Sequence, residues 1–429
     1  MDLQGARSSQ ILQGVRAYLR FHAGAGARWR PHTRGHNWPG GAVVTGAVAI
    51  TRRARYDVIV VGAGLMGAAA AWSLARRGRS VLVVEQFGPG HRNGSSHGSA
   101  RIFRRAYADA LYVRLSGRAF ELWRELEQRS GASILRTLGG IDHGAQRDVD
   151  GVAAQLAAAG VPYELLPAIE SERRWPGMRF AQGALFQPQA GTIDAALALE
   201  ALVADAAAHG AQVLYDTTVA RLVPGDESGA VELAGGGRVE ARALVAAAGA
   251  WLEPLLGEPL PREWGKLPRL TVTQQQIFHF PRLDRDAALW PTVMHHAGGL
   301  VYHLAGGRDG GPHEDRKIGE HRHGTVTTAA ARSGEVDARS RARVVEYVKR
   351  WLPGLDPTPG REATCLYTTT PSEDFVLDRM GSLVICSACS GHGAKFAPLI
   401  GELVAELVSS PETAQIPARF RLPGRGHRT

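Results

Sequence analysis

The feature that most restricts the fold lies in one contiguous run near residue 60. Residues 57–61 are a short apolar stretch rich in Val and Ile, as expected of a parallel strand buried on both faces. Gly62-Ala-Gly-Leu-Met-Gly67 comes next, then an alanine-rich helical stretch over 68–77, a stop at Gly78, and a second strand over 80–84 that ends at Glu85. Gly62 permits a tight turn, Gly64 lets the backbone approach a pyrophosphate, and Gly67 lets helix and strand pack closely. The start of the helix offers unpaired N–H groups and the positive end of its dipole to phosphate oxygens. Glu85, 23 positions after Gly62, can accept from ribose hydroxyls. A glycine turn alone is weak evidence. Strand, turn, helix, strand and terminal acid in this order predict a dinucleotide site.

The stretch after Glu85 favours FAD over NAD. Where an NAD-binding fold continues with another helix–strand unit, this chain enters Gly88-Pro-Gly90 and the polar loop Asn93-Gly-Ser-Ser-His-Gly-Ser-Ala-Arg101-Ile-Phe-Arg104-Arg105. Further on, 194–209 reads as a helix and 212–215 as a strand. An Ala- and Val-rich segment then stops at Gly249-Ala-Trp251, which suggests a further turn against the cofactor. Residues 262–310 have a different texture, with alternating stretches at 269–280 and 300–304 suited to an antiparallel sheet. Residues 338–352 read as a helix ending before Pro353. The chain is therefore expected to leave the nucleotide domain and return to it.

Composition removes other classes. A chain of 429 residues is long for one core and favours two domains. Of the net charge of +9, +8 belongs to residues 1–55, which hold nine Arg and one Asp and neither Lys nor Glu. The body is nearly neutral and has no basic stripe, so no nucleic-acid partner is expected. No apolar run approaches the ~18 residues of a membrane span, so no membrane partner is expected either. Three cysteines are too few for a disulfide framework and favour a reducing, cytoplasmic setting. Residues 1–55 are read as a disordered basic extension. A translation start within 43–50 and an Arg-rich, Ser-poor transit peptide are the alternatives.

Three later blocks carry the chemistry: Lys317-Ile-Gly-Glu-His321, Thr364-Cys-Leu-Tyr-Thr-Thr-Thr-Pro371, and Ser390-Gly-His-Gly-Ala-Lys395. Taken with the glycine turn and the Gly-Ser-Ser-His-Gly loop bearing Arg101 and Arg104, they resemble the monomeric sarcosine oxidase and N-methyltryptophan oxidase family of D-amino-acid-oxidase-like flavoproteins. The resemblance runs from about Tyr56 to about Val408. It implies an α/β fold in which a Rossmann-like FAD-binding domain of the glutathione-reductase type (56–137, 190–262 and 365–415) is interleaved with an antiparallel-sheet substrate domain (138–189 and 263–364), before a tail at 416–429.

The resemblance also implies roles. Cys365 would form a thioether to a methyl group of the flavin ring, although a free Cys is more often simply buried. Arg104 and Lys395 would hold a substrate carboxylate, a planar two-point grip joined by a compact charge. Each could instead be solvated, Arg104 beside Arg101 and Arg105, Lys395 near a helix start. Lys317 would sit over the flavin and help oxygen react through its fixed charge. His321 would line the substrate site, Tyr302 its wall, and Arg101 would belong to the catalytic group. A plain charged loop is the alternative there, given Arg316, Glu320 and His323. Ser96, His97, Gly249, Gly391 and Gly393 complete the expected cofactor contacts, the last two by letting the backbone approach the flavin. Cys386 and Cys389 are read as core cysteines. The histidines at 313, 321 and 323 lack the partners of a metal site, and Ser390 lacks the G-x-S-x-G elbow of a hydrolase.

The function so implied is oxidation of an N-alkyl amino acid to an imine that water hydrolyses, with O2 reduced to hydrogen peroxide, by a monomeric enzyme. A dehydrogenase passing electrons to a protein or quinone is the first rival, and a non-catalytic binding protein the second. The link Ala305-Gly-Gly-Arg-Asp-Gly-Gly-Pro-His-Glu-Asp-Arg316 is longer and more polar than the family's usual one and is expected near the pocket. It leaves the substrate open between sarcosine, as the resemblance implies, and a bulkier secondary amino acid or a cyclic one such as pipecolate or proline.

Overall fold

The computed structural model describes residues 43–45, 55–257 and 265–423. The apolar runs form the centre of a nine-stranded sheet. Val43–Thr45, Gln212–Tyr215, Val81–Val84, Tyr56–Val61 and Arg238–Ala246 lie side by side in that order, all parallel. Beyond Arg238–Ala246 the sheet divides. The first half of that strand pairs antiparallel with Gly229–Leu233, and the second half runs parallel to Leu383–Ser387, which pairs with Val376–Met380. Alternate residues face two apolar layers. Val58, Val60, Val83, Val245 and Val384 meet the helices Leu65–Arg76, Ala195–Ala208 and Ala397–Ser409. Ile59, Leu82, Leu244 and Ile385 meet a layer around Leu252, Leu270 and Leu422. Where both faces are covered, polar residues have no place, which explains the unbroken apolar runs Val58–Val61, Val81–Val84 and Ala243–Ala246; the charged residues of Arg238–Ala246 lie in its exposed first half.

The second sheet also has nine strands. Thr271–Phe280 pairs antiparallel with Arg361–Thr369 along its length and with Arg316–Glu320 on the other side. Leu300–Ala305, Thr292–His296, Gly140–His143, Ala184–Gln187 and Glu164–Leu166 continue outward. The helix Ala338–Trp351 covers it, burying Val344 and Val348 against Phe278, Phe280 and Ile318.

Three expectations change. The strand holding Cys365 belongs wholly to the second sheet, so the return to the first lies after Thr369 and not at residue 365. The basic extension has structure at Val43–Thr45, which adds a strand to the edge of the first sheet; its remainder up to residue 54 lies outside the described residues. A 21-residue helix, Ala110–Ser130, occupies a stretch to which the sequence pattern assigned no element. Asp109 caps it by accepting the Leu111 N–H at 2.8 Å, and Gly131 ends it in the left-handed region at φ 69°.

Candidate active site

At the glycine turn, sterics decide the sequence. Gly62 has φ 101°, and a Cβ there would lie 2.6 Å from Ala247 O; a Cβ on Gly67 would lie 1.8 Å from Gly62 O. No side chain fits at either position. A Cβ on Gly64 would meet only Ser96 Oγ, at 3.1 Å. Ser96 Oγ accepts the Leu65 N–H at 3.0 Å, which places the polar loop directly on the helix start. Glu85 is buried and its two oxygens already accept the N–H groups of Ala63 (2.8 Å) and Phe87 (3.0 Å). Each oxygen keeps one further lone pair for a hydroxyl.

From this turn a cavity of about 1440 Å³ runs to Lys395. Pockets for small ligands hold about 300–1,000 Å³, so this one accommodates a dinucleotide together with a small molecule. Gly249, at φ 54°, has no atom within 4 Å of where its Cβ would be, and Trp251 and Phe87 pack edge-on at 5.5 Å beside it on the wall.

The loop at 95–100 is pinned from two sides. Arg101 donates to the carbonyls of Ser95 (3.0 Å), His97 (2.6 Å) and Ala100 (2.9 Å). Asp309, from the long polar link, accepts the Ser99 N–H at 2.7 Å and lines the cavity, as expected of that link. His97 Nε2 is buried without a partner; burial, and then the charge of Arg101, push its pKa down to about 3. Lys317 is buried, and its Nζ donates to Ala100 O at 2.9 Å. Burial and then Arg101 push its pKa down to about 7.

Strand periodicity assembles the next wall. Lys317, Gly319 and His321 alternate onto one side, and Tyr302 pairs across the sheet with Gly319, where a Cβ would lie 2.5 Å from the Tyr302 hydroxyl. Cys365 and Tyr367 alternate in the same way on Arg361–Thr369, and the hydroxyls of Tyr302 and Tyr367 are hydrogen-bonded. Burial raises the Cys365 thiol pKa, against the opposing charges of Arg101 and Lys317. Packing within the protein also requires Gly391 and Gly393. A Cβ on Gly391 would strike Tyr367 (2.6 Å) and His321 (2.8 Å), and one on Gly393 would strike Ala388 O (1.8 Å), so protein packing already excludes it. Cys386 is buried as expected, but Cys389 is only half-buried; it lines the cavity and its Sγ accepts the Thr368 N–H at 3.4 Å.

Arg104 and Lys395 come together over a residue that no sequence motif singled out. The Arg104 guanidinium lies 4.2 Å, and Lys395 Nζ 5.7 Å, from the centre of the Tyr107 ring. Arg104 donates to Ala106 O, and Lys395 to His392 O at 2.7 Å; among the described residues neither forms an ion pair. Burial and the charge of Arg104 hold the Lys395 pKa well below its ordinary value. Glu373 was also missed. Its carboxylate pairs with His321 Nε2 (3.2 Å) and with Arg322. Ser390 and His392 engage other groups: Ser390 Oγ accepts the Thr370 N–H, and His392 bonds Tyr107 and Glu373 O.

Residues 57–407 match the model of the family described as FAD dependent oxidoreductase. The chain belongs to that family. Among its relatives, the monomeric sarcosine oxidase of Streptomyces avermitilis is 33% identical over 377 residues, covering 84% of this chain and 95% of the relative. The N-methyl-L-tryptophan oxidase of Yersinia pestis is 29% identical over 366 residues, with 82% and 94% covered. Among solved structures, NikD, an unusual amino acid oxidase essential for nikkomycin biosynthesis, superposes with a TM-score of 0.75 at 29% identity, covering 86% of this chain and 97% of that one.

The residues present fit the cofactor of an FAD-dependent oxidoreductase. The turn leaves the cavity open at Gly64 and Gly249, the helix start faces it with N–H donors, and the orphaned His97 Nε2 lies in its wall. At the opposite end, the half-buried Arg104 and the buried Lys395 have no acidic partner among the described residues.

Proposed function

We propose that this flavoenzyme oxidises an N-substituted amino acid whose carboxylate sits between Arg104 and Lys395, with O2 as the electron acceptor. The observation that carries the reading is the pair itself: two cations on one Tyr107 ring, one of them deeply buried, with main-chain carbonyls as their only partners among the described residues. Keeping like charges so close without a counter-ion costs free energy unless an anion binds there. A carboxylate supplies it with a two-point contact to Arg and a third from Lys. The relatives' names agree in substrate class, being sarcosine and N-methyl-L-tryptophan oxidases.

FAD, when bound, supplies the two-electron acceptor next to the substrate's C–N bond. The chain supplies the rest. The turn at Gly62, Gly64 and Gly67 with Ser96 holds the pyrophosphate, Glu85 the ribose, and Gly249 and His97 the remaining edge. Arg104 and Lys395 orient the substrate, while Tyr302, Tyr367 and His321 wall off its nitrogen end from water. Lys317 brings its charge to the place where oxygen is reduced, and Arg101 fixes the loop on which Lys317 rests. Cys365 Sγ would hold the cofactor through a thioether to a methyl group of the flavin ring. The enzyme works as a monomer in the cytoplasm and releases hydrogen peroxide.

Acid precipitation of the purified protein tests the tether. A yellow pellet from wild type and a colourless one from Cys365→Ser is the expected result, and colour released wholly to the supernatant from wild type would refute it. Peroxide formed per amine consumed, over a panel of N-methyl and cyclic amino acids, identifies the substrate. It also decides between an oxidase and a dehydrogenase.

A further inference from the structure

We propose that Glu373 is a positioning residue: its carboxylate fixes the Nε2–H tautomer of His321, so that His321 Nδ1 can take the proton a substrate ammonium must lose. The inference rests on the substrate class proposed above. An N-alkyl amino acid enters from water with its nitrogen protonated, and oxidation of the adjacent carbon needs that nitrogen's electron pair. In the proton transfer, one N–H bond of the ammonium breaks and its electron pair stays on nitrogen. A new N–H bond forms from the Nδ1 lone pair, and the imidazolium charge is held beside the carboxylate until solvent takes the proton.

Several independent observations converge on Glu373. It lies in the turn between Arg361–Thr369 and Val376–Met380 with φ 63°, and its partner Arg322 has φ 66°. Two non-glycine residues held in the left-handed region are joined by an ion pair, a local conformation that the surrounding structure must hold in place. Burial works against ionisation of Glu373, but hydrogen bonds from His321 and Arg322 outweigh it and bring the carboxyl to about 2. The group is therefore ionised and can only accept, so the hydrogen between it and His321 belongs to Nε2. His321 Nδ1 has no hydrogen-bond partner among the described residues and is not buried, and His321 lines the cavity.

The same residue reaches the other half of the site. The main-chain oxygen of Glu373 accepts from His392 Nε2 at 3.0 Å, which leaves His392 Nδ1 to accept from the Tyr107 hydroxyl at 3.3 Å. Tyr107 is the ring beneath Arg104 and Lys395. The titratable groups facing His321 are Glu373 from the turn, Arg322 and His323 beside it, Tyr367 at 6.0 Å between ring centres, and His296 from the adjacent part of the sheet. Of these, Glu373 is the only acid.

The test compares Glu373→Gln and Glu373→Asp with wild type as holoenzymes. Without the negative charge, protonation of the imidazole is less favourable, so the acid limb of kcat/KM in Glu373→Gln moves to lower pH, and the plateau falls roughly tenfold. Glu373→Asp restores both, and in a His321→Asn background Glu373→Gln changes neither. Independently of turnover, 15N-histidine NMR at a pH above that limb, with His321 assigned by its loss in His321→Asn, should give the Nε2–H tautomer in wild type and a mixture in Glu373→Gln. An Nδ1–H tautomer in wild type, or an unchanged profile and tautomer in Glu373→Gln, overturns the proposal. If wild type oxidises no N-substituted amino acid, the substrate reading fails while the tautomer still decides the role of Glu373.

Discussion

At one end of the cavity, Gly62 and Gly67 leave no space for a Cβ, and the fit depends on backbone alone. At the other end, Arg104 and Lys395 converge on the Tyr107 ring while Lys317 lies beside Arg101, and all three cations have only main-chain oxygens as hydrogen-bond partners among the described residues. The first end is shaped mainly by sterics within the strand–turn–helix unit, with Ala247 and Ser96 closing on it from elsewhere in the chain. The second is assembled from three distant stretches of chain and is electrostatically incomplete. A nucleotide site can therefore be specified by local geometry that costs the empty protein little. On the proposed function, the site for a small reacting anion is held ready by unfavourable charge, which the substrate carboxylate relieves.

Substitutions can break this contrast, beginning with the steric end. Gly67→Ala puts a methyl group 1.8 Å from Gly62 O, so helix or strand must shift. Overpacking of this kind costs about 1–3 kcal/mol or more, and the turn then no longer fits a pyrophosphate. We expect protein without flavin, measured as the ratio of visible to ultraviolet absorbance.

At the charged end, flavin should stay and catalysis should fall. Losing one partner of a desolvated charge contact costs about 2–5 kcal/mol. Arg104→Met and Lys395→Met should therefore each lower kcat/KM by roughly 10²–10³-fold, at unchanged flavin content. Next comes Lys317→Met, expected to slow reoxidation by oxygen about 10²-fold while reduction by substrate changes little, as stopped-flow kinetics can resolve. It carries a pH signature too. The folded-state pKa of Lys317 is lowered to about 7 by burial, so between that value and the ordinary lysine range the unfolded chain binds the extra proton. Wild-type stability therefore gains from rising pH across that window. In cofactor-free protein, the melting-temperature advantage of Lys317→Met should be largest below pH 7 and shrink above it. The smallest effect is expected of Tyr302→Phe, which removes the hydrogen bond to Tyr367 and should cost about 1 kcal/mol in denaturant unfolding, with flavin and peroxide yield retained.

The same contrast governs what could be read from the sequence. The turn, its flanking strands and Glu85 were legible because their constraints are local and periodic. Lys317, His321, Cys365 and Lys395 were found through motif resemblance, since nothing in their spacing along the chain places them in one cavity. Glu373 and Tyr107 carry no local signal. Glu373 matters through a left-handed turn that brings it to His321, 52 positions away, and Tyr107 through two cations that converge on its ring only after folding. The helix Ala110–Ser130 is a different kind of miss. Its buried positions Tyr112, Ser116, Ala119, Trp123, Leu126 and Ser130 keep helical spacing after a capping Asp109, so the signal was present. The boundary at residue 365 was misplaced because Cys365 was assigned with the cofactor, whereas its strand pairs with the substrate sheet.

The most direct measurement is an anaerobic titration of the purified flavoprotein with N-methyl and cyclic amino acids, monitored at the visible flavin band. Wild type should bleach with saturation, whereas the Arg104→Met/Lys395→Met double variant, with the same flavin content, should resist bleaching at concentrations that saturate wild type. Equal bleaching at equal concentration in both would contradict a substrate held by its carboxylate between Arg104 and Lys395.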